Sequence, residues 1–148
     1  MWLSRSAFLP RALVAALLFG STLAESAGAQ TPLTATLSGA NEVPGPGSPS
    51  GAGTARVTPN LDDGSLCYEL TVTLDPPATA AHIHRGPADV AGPVVVPFDA
   101  PTSGSANGCI MGSDLALIGE IENNPAGFYV NVHNADFPAG AIRGQLGQ

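Results

Sequence analysis

The chain contains no lysine at all. Two of its five arginines, Arg5 and Arg11, fall in the first thirty residues. Beyond them, Arg56, Arg85 and Arg143 face eleven acidic residues, a net charge of −8 with neutral histidines. A surface so poor in positive charge repels phosphate backbones, so nucleic acid is not expected as a partner. An anionic membrane surface is disfavoured for the same reason. Long-range attraction instead favours cations, metal ions included.

Cysteine is scarce. Cys67 and Cys109 are the only two, and neither belongs to a C-x-x-C pair. Catalytic signatures are missing as well: there is no G-x-S-x-G, no H-E-x-x-H and no P-loop. Asp62-Asp63-Gly64 reads as a hairpin turn and not as a twelve-residue calcium loop. The acidic residues are scattered over turns, and nothing marks two of them as an opposed pair for sugar hydrolysis.

Long apolar runs are confined to the start. "MWLSRSAFLPRALVAALLFGSTLAESAGA" carries two arginines, then an apolar run from Ala12 to Phe19, then small residues ending in Ala27-Gly28-Ala29. That order predicts a secretory signal peptide over 1–29, cleaved before Gln30. The run is shorter than the roughly 20 apolar residues a membrane-spanning helix needs. The expected product is a secreted or periplasmic domain over 30–148, not an integral membrane protein, and long enough for one packed core. In an oxidising compartment, an even cysteine count predicts a Cys67–Cys109 disulfide. Closing a loop of about 40 residues contributes about 4 kcal/mol in the chain-entropy picture. Free thiols, or a third and fourth metal ligand, are the alternatives.

Alternation dominates the remainder. In "SLCYELTVTL", Leu66, Tyr68, Leu70, Val72 and Leu74 share one face, and Cys67, Glu69, Thr71 and Thr73 the other. A period of two over ten residues is the mark of a half-buried strand. Asp63-Gly64 precedes it as a turn, and Asp75-Pro76-Pro77 ends it. "LTATL", "TARVT", "AAHIH", "PVVVPF", "GFYVNVH" and "AIRGQL" read as further strands. "NEVPGPGSPSGAG", Asn41 to Gly53, reads as an exposed connection. Pro101 to Gly112 is a Gly- and Ser-rich segment around Cys109. One short helix is expected near 113–123, capped by Ser113 and stopped by Pro125. Seven to eight strands and one helix predict an all-β fold: an antiparallel Greek-key or immunoglobulin-like β-sandwich, or a flattened barrel.

His82 and His84 lie two apart on a strand and therefore point the same way. Ile83 takes the inward side, so both histidines face outward. His133, the only other histidine, is outward by the alternation of its own strand. If the two strands are neighbours, about 4.8 Å apart, three imidazoles can meet at one ion. Such a set suits copper, zinc, nickel or iron, with copper or zinc preferred for an exported site. A fourth position would be left for water, Asp89, Asp136 or Tyr129. The competing reading makes His82 and His84 polar residues of a solvated face, or residues that fix loops by hydrogen bonds to backbone carbonyls, with His133 opening a turn. Arg143 has two readings: it steers an anion, or it pairs with Glu69, Glu120 or Asp136. Asn131 and Asn134 are expected to organise the loop that follows their strand.

"LSGANEVP", "AHIHRG" and "YVNVHNADFPAGAIRGQL", in that order, resemble the CHRD domain, the family named from repeats in chordin. The resemblance covers Leu33 to Leu146. Its C-terminal motif stands here as Gly140-Ala141-Ile142-Arg143-Gly144-Gln145-Leu146, with Ala141 where the family usually has glutamate. The resemblance implies an extracytoplasmic domain. Two non-catalytic readings stay open: a module binding a mononuclear metal, or an interaction module in which a strand face or the loop from Asn41 to Gly53 contacts an unknown protein or cell-envelope partner. A more distant similarity to copper/zinc superoxide dismutases implies copper held by a His-x-His pair and a later strand histidine, matched by His82, His84 and His133. It also implies an anion-guiding arginine, matched by Arg143. The bridging histidine and the zinc cluster of those enzymes have no counterpart here, so a dismutase-like redox enzyme is the weaker expectation.

Overall fold

The computed structural model describes residues 30–148; the expected signal peptide, 1–29, lies outside the described residues. Eight strands form one antiparallel sheet: β1 (Leu33–Ser38), β2 (Ala52–Asn60), β3 (Ser65–Thr73), β4 (Ala78–Arg85), β5 (Val94–Phe98), β6 (Ser105–Ile110), β7 (Phe128–Asn134) and β8 (Ile142–Gln145). Their spatial order is β5-β4-β7-β8-β1-β2-β3-β6. The sheet curls into a nearly closed barrel. No ladder joins the two edge strands β5 and β6. Side chains bridge that seam instead. The Tyr68 and Phe98 rings stack with centroids 4.1 Å apart. The Tyr68 hydroxyl accepts from the Asp99 N–H at 3.0 Å and donates to its carboxylate at 3.1 Å. Among the described residues, no helix is long and apolar enough to cross a membrane.

Alternation determines which side chains fill the barrel. Leu66, Tyr68, Leu70 and Val72 of β3 are buried inside, together with Ile83, Val130, Val132, Ile142 and Leu146. Each fully buried Leu or Ile contributes about 1.5–3 kcal/mol, so the inner face fixes the register of every strand. Pro59 is tolerated in β2 because it lies beyond the stretch paired with β1, which ends at Leu33↔Val57. Its missing N–H removes no ladder bond on that side.

Three details differ from the sequence expectations. The Gly- and Ser-rich segment around Cys109 contains a sixth strand, β6, whose weak alternation is offset by pairing with β3 from Leu66↔Ile110 to Thr71↔Ser105. The helix α1 (Leu115–Asn123) is capped by Asp114, whose side chain accepts from the Ala116 N–H, and not by Ser113. The connection from Asn41 is not simply exposed, because Glu42, Gly47 and Ser48 are buried against the sheet. The Ser48 N–H donates to the Ala141 carbonyl at 2.8 Å, and a Cβ on Gly47 would collide with that same oxygen.

Cys67 and Cys109 stand directly opposite each other in the β3–β6 ladder and form a disulfide. It ties an edge strand to the sheet across 42 residues of sequence. Replacing both cysteines by alanine is expected to lower unfolding free energy by about 2–4 kcal/mol. Urea denaturation of the double variant beside the oxidised parent checks this; an unchanged midpoint would show that the bond adds nothing.

Candidate metal centre

The β4–β7 ladder pairs Ala80↔His133, Ala81↔Val132, His82↔Asn131, Ile83↔Val130 and His84↔Tyr129. The β7–β8 ladder continues two of these rows, Asn131↔Arg143 and Tyr129↔Gln145. The outer face therefore carries one row of His82, Asn131 and Arg143 and a second of His84, Tyr129 and Gln145, with His133 beside His82. This face is not the solvated one of the competing reading. Tyr129 is 2%, Asn131 4% and Arg143 1% exposed, and the histidines are partly buried. Two segments cover it, the connection 39–51 on one side and the loop 86–93 on the other.

The three imidazoles converge. One ring nitrogen of each lies within 4.8 Å of the other two. Ring centroids are 5.6 Å apart for His82–His84, 5.1 Å for His82–His133 and 6.1 Å for His84–His133. Backbone carbonyls fix two tautomers. His84 Nδ1–H donates to Gly92 O at 2.9 Å, and His133 Nδ1–H donates to Pro138 O at 3.2 Å. In a neutral imidazole the other nitrogen then carries the lone pair, so both rings offer Nε2. His84 Nε2 is buried without a protein partner. His82 approaches from the other nitrogen: its Nδ1–H donates to the His133 Nε2 lone pair at 3.2 Å, and a bound ion would take the place of that proton. Two nitrogens bound at about 2.0–2.1 Å in a tetrahedral site stand about 3.3 Å apart. The His82–His133 pair is already at that separation, and a His84 nitrogen lies within 4.8 Å of both.

Burial and neighbouring charge both favour the neutral form of the three imidazoles. Burial is the largest cause lowering all three histidine pKa values. His84 lowers that of His82 further, and His82 that of His133. Arg143 adds to the depression of His84, against the opposing pull of the Gly92 carbonyl. Neutral imidazole is the form that binds metal.

Arg143 pairs with none of Glu69, Glu120 or Asp136. Glu120 is instead ion-paired to Arg85, and Glu69 lies across the ladder from Arg56. The Arg143 guanidinium lies 3.4 Å from the Tyr129 ring centroid and donates through Nη2 to Pro87 O at 2.7 Å. Neither Asp89 nor Asp136 joins the histidine cluster, and the Tyr129 hydroxyl accepts from the Gly92 N–H at 3.0 Å. Asn134 does organise the following loop, accepting from the Phe137 N–H and donating to Pro76 O, both at 2.9 Å. Asn131 takes no part in that loop, because its Nδ2 donates to Glu42 Oε2 at 3.3 Å.

Glu42 and Gly92 are the residues that sequence reasoning passes over. Both lie in Gly/Pro-rich connections and reach the site only through tertiary docking. Their sole sequence signal is membership in "NEVP" and in the loop after "AHIHRG". Glu42 is 6% exposed, and burial raises its pKa from 4.5 to about 7 against the opposing effects of Asn131 and Arg143.

A CHRD-domain sequence profile matches residues 33–146. Comparison with curated proteins and with solved structures returns no match. The fold and site together define an all-β barrel domain with a histidine cluster roofed by two loops. The chain belongs to the CHRD family.

Because the Glu42 pKa is higher folded than unfolded, its contribution to stability is fully present below about pH 4.5 and is lost as pH rises through about 7. The histidines have the opposite slope, losing stability as pH falls below 6.5. The difference between parent and Glu42→Gln isolates the carboxyl. Glu42→Gln is expected to be more stable than the parent at pH 8, by about 2–3 kcal/mol at most, with the advantage gone at pH 4.5. Unfolding curves at the two pH values test it; a gap that does not change with pH would count against the assignment.

Proposed function

We propose that this CHRD domain is an exported binding module that holds one copper or zinc ion on His82, His84 and His133. The observation that carries the reading is the convergence of three ring nitrogens, two of them presented as Nε2 by backbone carbonyls. A carbonyl on the far nitrogen is the usual means of orienting a metal-ligating imidazole. The leader pattern and the disulfide support an extracytoplasmic setting. The reading assigns no reaction.

A metal-free interaction module is the second reading. It is favoured by three exposed apolar side chains, Leu61, Met111 and Leu115, close in the chain to the exposed Asp62, Asp63 and Asp114. The two readings separate on metal uptake. Calorimetric titration of metal-free protein with Cu(II) and then Zn(II) is expected to show one site per chain. His82→Ala/His84→Ala is expected to abolish it. Uptake unchanged in that double variant, or no uptake by the parent, would overturn the metal reading and leave the interaction module.

A further inference from the structure

One short loop, 86–93, holds four side chains of the outer face through its backbone alone. Gly92 O accepts from His84, Gly92 N–H donates to Tyr129, Pro87 O accepts from Arg143, and Gly86 O accepts from Gln145 at 2.7 Å. Tyr129 lies at the centre of this arrangement. Its ring stacks on His84 with centroids 4.9 Å apart and planes 15° from parallel.

The stack and the loop constrain different freedoms of His84. A near-parallel ring fixes the imidazole plane but admits two orientations related by a half-turn about χ2. The Gly92 carbonyl selects between them, because only one orientation brings Nδ1–H to it. Gly92 is in turn pinned by the Tyr129 hydroxyl. It cannot be another residue, since a Cβ there would run into the Arg85 carbonyl. The loop is also held by the Arg85 N–H on Pro93 O at 2.9 Å, so Tyr129 supplies the stack on His84 outright and shares in placing the Gly92 carbonyl. With its hydroxyl engaged on the Gly92 N–H, Tyr129 is not itself a ligand.

We infer that Tyr129 is the positioning residue of the centre: by stacking on His84 and pinning Gly92 it turns His84 Nε2 toward the other two imidazoles. The consequence for metal affinity rests on the metal-binding reading above. The consequence for the His84 tautomer does not, and it is readable in metal-free protein.

The test uses the full chain with Tyr129→Phe and Tyr129→Leu. Nitrogen-15 correlation spectra of the imidazoles report tautomers, and Cu(II) alone is the metal probe, followed by calorimetry and electron paramagnetic resonance. The parent is expected to show His84 as a single Nδ1–H tautomer. Phe keeps the stack and loses the Gly92 contact, so His84 becomes a tautomer mixture and Cu(II) binds several-fold more weakly. Leu removes both constraints, with a loss of about tenfold or more, as for supporting groups around other metal sites, and an altered copper hyperfine splitting. Both variants matching the parent in tautomer, affinity and spectrum would overturn the inference, even with a lower melting temperature. Should the parent take up no Cu(II), the metal reading fails, and the inference is decided by the tautomer alone. Should the Leu variant not fold, the Phe variant decides.

Discussion

The antiparallel ladder between β4 and β7 is the constraint on which the site depends. Its inner side places Ile83 opposite Val130 and Ala81 opposite Val132, all fully buried. Its outer side places His82 and His84 opposite Asn131 and Tyr129, with His133 beyond. A slip of one residue would move Ile83 out of the barrel and turn the histidines into it. The register that satisfies the core is thus the register that assembles the trio. Hydrophobic burial, worth far more than any contact between imidazoles, holds the candidate ligands together without needing a metal to do so.

The second constraint is the roof. An exposed outer face would leave Tyr129, Asn131 and Arg143 in water. Here two Gly/Pro-rich connections close over them, and their backbone groups supply most of the polar partners. Closure has a cost. Among the described residues, the buried side-chain polar atoms without a protein partner are Glu42 Oε1, His84 Nε2, Asn131 Oδ1, Arg143 Nη1 and Gln145 Oε1, all on this face. Such an atom costs about 1–3 kcal/mol only where water does not satisfy it. The interior of the barrel carries none. Buried polar atoms gathered on one face, beside an inner face packed with aliphatic side chains, single out this face as the candidate site.

How much of this is legible in the sequence follows from the range of the interactions. The period-two pattern of β3 and β7 is local, and from it come the all-β class, the inward residues and the outward histidines. The disulfide follows from cysteine parity. The adjacency of β4 and β7, on which convergence depends, is a condition the sequence can state but not decide, because pairing between strands about fifty residues apart leaves no local trace. β6 escapes a pattern search because "SANGCI" is held by its partner and its disulfide more than by its own alternation. Charge counting pairs Arg143 with an acid, but an aromatic face and a carbonyl take that place. Glu42, Ser48 and Gly92 look like loop residues because a loop's docking is a tertiary property. "Outward" is correct as geometry and misleading as exposure.

The donor set also limits which ions suit the centre. The chain's strong negative charge draws in any cation over long range, so attraction alone does not discriminate. At close range no carboxylate joins the three imidazoles. Glu42, the buried acid near this face, is engaged by Asn131, and its raised pKa leaves it only partly ionised at neutral pH. Arg143 adds a positive charge close enough to depress His84. Calcium and magnesium depend on hard, charged oxygen ligands and would meet neutral nitrogens beside a guanidinium. Ions bound through covalent affinity for imidazole nitrogen overcome that repulsion, and copper and zinc stand high among them in affinity. On the proposed metal reading, surface charge would bring divalent ions to the protein without selecting among them, and the loss of charge at the centre would make the selection.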